Sequence, residues 1–266
     1  MERKRLLDVR QLSHRYATGH EAIGELTFGV DDGELVSIVG PSGCGKTTLL
    51  KSIAGLQKNT GGTVSVDGEP VNDVPKGLAM VFQDYSRSLL PWLRVYANVE
   101  LPLRYQALGT EERHRRVAQS LEAVGLDAAA HAYPWQLSGG MQQRVAIARA
   151  LAYQPRLLLM DEPFASVDAQ TRADLEDLVR RVRYQFNATI LLVTHDIDEA
   201  VYLADRVLVL SGSPSRILAE IAVDLPQTRD QITTRADDVF VQLRSRVAQL
   251  IRRQPHTEGN LEPTPI

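Results

Sequence analysis

Cysteine is nearly absent from this sequence, since Cys44 is the only one in 266 residues. A single cysteine excludes an internal disulfide and suits a reducing compartment. Cys44 itself is better interpreted as a small residue tolerated in a loop than as a nucleophile, because no base can be identified beside it. The fold must therefore be held together by a hydrophobic core, and cysteine catalysis is disfavoured.

Long apolar runs and an excess of one charge are also lacking. The aliphatic runs, such as residues 190–193, fall far short of the ~18 apolar residues of a membrane span. The charged residues 1–5 have no apolar segment behind them, so we expect no secretory signal. A net charge of -3 argues against a general nucleic-acid binder. The composition predicts one large globular domain, or a domain with an inserted subdomain.

A glycine-rich turn between an apolar strand and a helix start is the most informative stretch. Gly40, Gly45, Lys46 and Thr47 occupy the fixed places of the phosphate-binding pattern G-x-x-x-x-G-K-[ST]. The alternative is a chance match, which the flanking strand and helix disfavour. The residues predicted to bind the nucleotide here are Gly40, Pro41, Ser42, Gly43, Cys44, Gly45, Lys46, Thr47 and Thr48.

The chemistry of this loop follows from its residue types. Glycines allow backbone conformations in which consecutive N–H groups surround one anion. The following helix directs its partly positive N-terminus at the same place. Lys46 adds a full charge for the outer phosphates, and the Thr47 hydroxyl can bind Mg²⁺. The loop therefore predicts ATP or a related nucleotide, with Mg²⁺, as cofactor.

Four polar positions follow apolar runs that have the unalternating character of buried parallel strands. They are the loop at 40–48, Gln83, the pair at 161–162, and His195. Because ligands of α/β sheets bind at the carboxyl ends of the strands, we expect these positions to converge. The strand–helix alternation predicts an α/β fold.

Each converging side chain has a predicted role. Asp161 is expected to hold Mg²⁺ together with Thr47, and Glu162 to polarise the attacking water. The alternative is that the two acids only cap the turn that follows. His195 is expected to contact the terminal phosphate or the water at Glu162, and Gln83 to sense metal and water.

The remaining sequence divides into segments of different character. Helical periodicity with an apolar face at Val117, Leu121 and Val124 predicts an inserted helical subdomain over about 84–155. The ATPase domain is predicted over 1–225, followed by a helical extension at 226–253. Residues 254–266 contain three prolines and few large apolar residues, which predicts a disordered tail.

A second anion site is predicted at the start of another helix. Ser138 is a good N-cap, and Gly139 and Gly140 leave the helix start without side chains. One loop already cradles the phosphates of one nucleotide. We therefore expect this helix start to contact the γ-phosphate held by a second copy of the chain, so that ATP joins two subunits.

The motifs follow one another in an order that is highly specific. They are Tyr16, residues 40–48, Gln83, residues 137–142, residues 157–162, residues 165–168 and His195. Over roughly residues 6–223 the sequence resembles the ATP-binding cassette (ABC) ATPases. The resemblance implies a P-loop NTPase (RecA-like) core with an antiparallel β subdomain and an inserted α-helical subdomain. It also implies that Tyr16 stacks on adenine. The sequence departs from the family at Ser166-Val167, where the following Asp168 is kept, and at Met141, a position outside the phosphate contact.

Within that family, residues 88–92 and 225–230 resemble the bacterial nitrate/sulfonate/taurine importers. The resemblance implies an ATP-hydrolysing homodimer on the cytoplasmic face of the inner membrane. It would bind two transmembrane permease subunits and, indirectly, a periplasmic binding protein. Leu89, Leu90 and Trp92 would either receive the permease's coupling helix or belong to the subdomain core. An ABC exporter subunit and a soluble non-transport ABC protein are the alternatives.

Overall fold

The computed structural model describes residues 4–84 and 88–253. The disordered tail predicted at 254–266 lies outside these ranges. The strands are β1 (Arg5–Arg15), β2 (Glu21–Asp31), β3 (Leu35–Val39), β4 (Gly61–Val66), β5 (Glu69–Pro70), β6 (Leu78–Val81), β7 (Leu157–Asp161), β8 (Thr189–Thr194), β9 (Arg206–Leu210) and β10 (Ser215–Ala222). The α-helices are α1 (Lys46–Ile53), α2 (Val95–Glu100), α3 (Thr110–Ala123), α4 (Gly139–Ala152), α5 (Ala169–Phe186), α6 (Ile197–Leu203), α7 (Thr233–Ala236) and α8 (Asp238–Arg252).

The strands form one sheet in the order β5-β4-β1-β2-β10-β9-β3-β8-β7-β6. Strands β9, β3, β8, β7 and β6 run parallel, with Val39 opposite Thr194 and Asp161 opposite Val193. Strands β3, β7 and β8 are buried along their whole length, which explains their continuous apolar sequence. The carboxyl ends of these strands therefore meet at one edge, as the α/β prediction requires.

The first two strands build the antiparallel part of the sheet. β1 pairs antiparallel with both β2 and β4, and β4 pairs with β5. This part joins the parallel core through β10, which runs parallel to β2 over a short register around Ser215 and Ile23. The predicted combination of an antiparallel β portion with a P-loop core is thus confirmed.

One strand ends earlier than its composition suggests. The apolar run at 78–82 predicts that Phe82 belongs to β6, but the strand ends at Val81 and Phe82 is exposed. The parallel partner β7 pairs with β6 only as far as Met160 opposite Val81. Gln83 consequently lies in the loop beyond the sheet edge, rather than directly at a strand end.

Helices α2, α3 and α4 lie between β6 and β7. The apolar face predicted for α3 is buried at Val117, Leu121 and Val124, and it packs into the large core shared with α4. Leu89 also belongs to this core, with 2% of its surface exposed. Of the two interpretations given for Leu89, its burial supports the one that assigns it to the subdomain core.

The C-terminal extension packs on the catalytic core. Helix α8 buries Phe240 and Val247 and contacts α6, β9 and β10. Its N-cap is Asp237, whose side chain accepts a hydrogen bond from the Val239 N–H. In the portion of the chain that the structure describes, no helix has the length and apolar character needed to cross a membrane.

Candidate functional site

The glycine-rich loop connects the end of β3 to the start of α1. Gly43 and Gly45 have φ angles of 75° and 95°, in the region that residues with a Cβ rarely adopt. A Cβ on Gly45 would also lie 2.7 Å from the Ala22 carbonyl oxygen. Glycine is therefore required at position 45 by both backbone conformation and space, and the loop keeps its curled form.

Lys46 is folded back onto this loop and is almost fully buried. Its ammonium donates hydrogen bonds to the carbonyl oxygens of Gly40 at 2.9 Å and of Pro41 at 3.0 Å. Both acceptors are neutral, so these bonds orient the ammonium without cancelling its charge. The arrangement places a positive charge where an anion bound by the loop would lie.

Thr47 in the first turn of α1 and Asp161 at the end of β7 bring a hydroxyl and a carboxylate together. The Thr47 hydroxyl donates to Asp161 Oδ1 at 3.3 Å. Burial raises the pKa of the Asp161 carboxyl, and the Thr47 hydrogen bond acts in the opposite direction. Hydroxyl and carboxylate oxygens are hard ligands that fit Mg²⁺. Two ligands suffice only where phosphate and water supply the others, as in phosphate-transfer sites.

Glu162 is held between two neighbours immediately after β7. Its Oε2 accepts hydrogen bonds from Gln83 Nε2 and from His195 Nδ1, each at 3.1 Å. Its backbone has a φ of 44°, and its N–H donates to the Val193 carbonyl oxygen at 2.8 Å. Left-handed backbone at a non-glycine residue is strained and persists where the surroundings impose it, commonly at functional sites. The three predicted residues thus form one hydrogen-bonded group.

A cavity of about 420 Å³ opens above the loop. It is lined by Tyr16, His20, Ala22, Ser42, Gly43, Gly45, Lys46, Thr47, Thr48, Gln83 and Glu162. Nine of these eleven residues are predicted site residues. His20 and Ala22 are not, because they lie on the β1–β2 hairpin, which carries no phosphate-binding pattern. The position of His20 four residues after the predicted adenine-stacking Tyr16 was the available signal.

Several predicted residues lie behind the cavity rather than in its lining. The Cys44 side chain is 1% exposed, and burial raises the pKa of its thiol. The space for a Cβ at Gly40 is occupied by Cys44 Sγ, 2.9 Å away. Cys44 therefore packs under the loop as a small apolar residue, and Gly40 makes room for it. Asp161 and His195 do not line the cavity themselves. They are hydrogen-bonded to Thr47 and Glu162, respectively, which do line it.

The second predicted anion site lies elsewhere on the surface. Ser138 caps α4, with its hydroxyl accepting a hydrogen bond from the Met141 N–H at 3.3 Å. Ser138 and Gly139 are exposed, and neither lines the nucleotide cavity. A Cβ on Gly140 would lie 2.3 Å from Thr171 Cγ2 of α5, so this glycine is needed for packing. The chain does not bring its own α4 start into its own cavity.

Replacing Tyr16 tests the adenine side of the cavity. The Tyr16 ring is 40% exposed, and its hydroxyl is hydrogen-bonded to the Thr48 hydroxyl at 2.7 Å. We expect Tyr16→Ala to weaken ATP binding about 5- to 100-fold, the range of base–aromatic stacking. Tyr16→Phe keeps the ring and should bind nearly as the parent chain does. Fluorescence titration with an ATP analogue measures both, and equal losses in the two variants would assign the effect to the hydroxyl.

The curled loop, the buried lysine and the strand-end acids define a P-loop nucleotide-binding ATPase core. The family model described as "ABC transporter" matches residues 23–165. The nitrate transport protein NasD of Klebsiella oxytoca is 40% identical, over 95% of this chain and 98% of that protein. The aliphatic sulfonates import ATP-binding protein SsuB 1 of Xanthomonas axonopodis pv. citri is 46% identical, over 85% and 88% respectively.

A solved structure shows the same architecture. A dimeric ATP-binding cassette in a post-hydrolysis state with ADP and phosphate aligns with a TM-score of 0.70 and 32% identity, covering 83% of this chain and 100% of that one. The chain belongs to the ABC transporter family. It is an ATP-binding and ATP-hydrolysing cassette of that family, which confirms the fold and the enzyme class predicted from the sequence.

Proposed function

We propose that this chain is the ATP-hydrolysing subunit of a bacterial ABC importer for a small anion, such as nitrate or an aliphatic sulfonate, taurine included. The observation that carries the ATPase part is the group formed by Glu162, Gln83 and His195 beside the phosphate loop. The names of the relatives that import nitrate and sulfonates support the direction and the substrate class.

The geometry supports a different role for each of these residues in ATP hydrolysis. Glu162 accepts two hydrogen bonds through Oε2, which fixes the carboxylate and leaves Oε1 to accept a proton from the attacking water. His195 is more than half exposed and can turn toward a terminal phosphate. Lys46 and the loop N–H groups hold the phosphates in place while the bond to the leaving group breaks.

Mg²⁺ fits the oxygen ligands beside the loop. Thr47 and Asp161 would hold it, and Gln83, whose amide nitrogen is bound to Glu162, would offer its carbonyl oxygen. Bound Mg²⁺ supplies positive charge that neutralises the phosphates during transfer. Thr47 at the start of α1 and Asp161 at the end of β7 would keep this charge beside the phosphate loop.

A second copy of the chain would complete the site. The helix start at Ser138 and Gly139 is exposed and lies outside the cavity of its own chain. The first N–H groups of a helix have no partner within the helix and favour an anion. A head-to-tail pair would place each α4 start over the nucleotide of the other chain. The dimeric state of the similar cassette that carries ADP and phosphate supports this arrangement.

The helical subdomain is the proposed contact for the permease. Trp92 is 70% exposed beside a cavity of about 430 Å³ that Tyr96 and His131 also line. A large exposed aromatic next to a cavity is typical of a protein interface. In the proposed assembly, two permease subunits would sit on the dimer at the cytoplasmic face of the membrane. A periplasmic binding protein would deliver the anion, and no nucleic acid would be bound.

Trp92→Ala is expected to weaken association with the permease about 30-fold or more while ATP affinity stays unchanged, since interface tryptophans are often worth at least 2 kcal/mol. Co-purification of the tagged chain with its permease from membranes measures the association, and nucleotide titration measures the ATP affinity. Val74→Ala, at another exposed apolar residue, in the loop between β5 and β6, is the matched control. Undiminished co-purification of the Trp92 variant would remove this residue from the interface.

Transport by the reconstituted complex tests the whole function. The chain, its permease and the binding protein are placed in vesicles, and ATP-driven uptake of nitrate, an alkanesulfonate and taurine is measured. Uptake of one anion with ATP consumption is expected. ATP-driven efflux would favour the exporter alternative. The soluble alternative would be favoured by two observations together. ATP turnover would not require a permease, and the gene for this chain would have no permease or binding-protein gene beside it.

A further inference from the structure

The segment that follows β10 contacts both α5 and α6. We call residues 225–236 the C-terminal strap. At its start, Arg229 donates to the carbonyl oxygens of Tyr202 at 2.6 Å and Ala204 at 3.0 Å, which terminate α6. From α5, Arg180 donates to the Leu203 carbonyl oxygen and to that of Gln227 in the strap. The strap therefore satisfies backbone acceptors that the end of α6 leaves unpaired.

The Arg229 guanidinium is charged although it is largely buried. Burial lowers its pKa to about 10, so it remains protonated at neutral pH. A cation at this position is favourable because the C-terminal end of a helix is partly negative. Arg229 and Arg180 together fix the C-terminal end of α6 against α5 and the strap.

The other end of the strap neutralises a buried acid. Glu176 of α5 is completely buried, and its Oε2 accepts hydrogen bonds from Arg235 Nη2 at 2.6 Å and Gln231 Nε2 at 3.0 Å. Burying a carboxylate is unfavourable unless it is paired and hydrogen-bonded. Arg235 supplies the positive charge of this pair from outside the nucleotide-binding motifs of the chain.

A second buried acid faces the first from α6. Glu199 lies in the first turn of α6 and is 4% exposed. Burial, followed by the neighbouring carboxylates of Glu176 and Asp196, raises the pKa of Glu199 well above its usual value. In the described part of the chain, Oε1 of Glu176 and Oε1 of Glu199 are both buried without a hydrogen-bond partner. Glu199 is compensated by a hydrogen bond from Thr194 and by the charge of Arg172, whereas Glu176 depends on Arg235 and Gln231 of the strap. Loss of the Arg235 charge would therefore leave the Glu176 carboxylate uncompensated beside Glu199.

Helix α6 begins two residues after His195. Asp196 caps it, accepting a hydrogen bond from the Glu199 N–H at 3.1 Å through Oδ1 and one from Arg172 at 3.1 Å through Oδ2. A displacement of the first turn of α6 would carry Asp196 with it and move His195 relative to Glu162, whose carboxylate His195 contacts.

We propose that Arg235 is a positioning residue for ATP hydrolysis: by compensating the charge of Glu176 it keeps α6 seated, and through α6 it keeps His195 against Glu162. The C-terminal extension then contributes to ATP hydrolysis, although it lies outside the nucleotide-binding motifs. The inference rests on the proposed roles of Glu162 and His195 in hydrolysis.

Arg235→Met tests it in the full-length chain. We expect kcat for ATP to fall about tenfold, because His195 would be misplaced relative to Glu162, while KM changes less than about twofold. Adding Glu176→Gln removes the uncompensated charge and should return kcat to within about threefold of the parent. Arg246→Met, an exposed arginine on α8, is the control.

Hydrogen exchange gives a readout that does not depend on activity. Amides of residues 196–203 should exchange faster in Arg235→Met and return to the parent rate in the double variant. The proposal would be contradicted if the double variant turned over ATP as slowly as the single variant, or if exchange rose uniformly over the chain. Arg235 would then contribute only to packing of the fold. If the parent chain does not hydrolyse ATP at all, the proposed function fails, whatever the exchange data show.

Discussion

Glu162→Gln is expected to abolish ATP turnover and leave ATP binding intact. The substitution keeps the shape of the side chain and its ability to accept from Gln83 and His195, but it removes the group that accepts a proton from water. General-base catalysis is worth roughly 10²–10⁴-fold, so turnover should fall by about that factor. Phosphate release measures turnover, and titration with a fluorescent ATP analogue measures binding.

The same variant should accumulate as an ATP-bound dimer. If hydrolysis separates the two chains, a chain that binds ATP without cleaving it stays paired, and light scattering will show about twice the mass of the monomer. Glu69→Gln, on the exposed edge strand β5, is the control and should behave as the parent chain. Near-normal turnover by Glu162→Gln would exclude this residue as the general base and leave His195 as the candidate.

The nucleotide cavity could be predicted because its signals are local or lie at strand ends. The spacing of Gly40, Gly45 and Lys46 specifies one turn geometry, and the unalternating apolar runs specify buried parallel strands. Parallel strands place Asp161 and His195 at one edge without any knowledge of the side chains. These features can be recognised in the sequence because each depends on only a few neighbouring residues.

Other features depend on contacts between distant segments, which periodicity does not report. His20 and Ala22 enter the cavity because the β1–β2 hairpin folds over the loop. The left-handed backbone of Glu162 is imposed by its bond to Val193 on the adjacent strand. Residues 226–253 read as a plain helical extension, yet the strap within them places Arg235 on a fully buried carboxylate.

The proposed division of the nucleotide site between two chains leads to the second prediction. Lys46→Ala and Gly139→Asp should each inactivate the chain, yet an equal mixture of the two should regain activity. The first removes the phosphate-binding ammonium, and the second places a negative charge at the exposed start of α4. Position 139 suits this test because Gly139 is exposed, whereas a side chain at Gly140 would collide with Thr171.

The recovery follows from counting sites in a head-to-tail dimer. Each pure variant forms dimers in which both sites are damaged. A mixed dimer contains one site damaged twice and one site built from the intact Lys46 of one chain and the intact Gly139 of the other. Random pairing gives half mixed dimers, so the mixture should reach about a quarter of the parental activity. Phosphate release after mixing the chains without nucleotide and then adding Mg²⁺ and ATP measures it.

A matched mixture separates this recovery from nonspecific effects. When Lys46→Ala is mixed with a chain carrying both substitutions, no pairing can assemble an intact site, and activity should stay at the level of the inactive variants. Activity of the first mixture equal to the mean of its two components would mean that each chain hydrolyses ATP with its own residues alone. The exposed α4 start would then need another occupant, because it lies outside the cavity of its own chain.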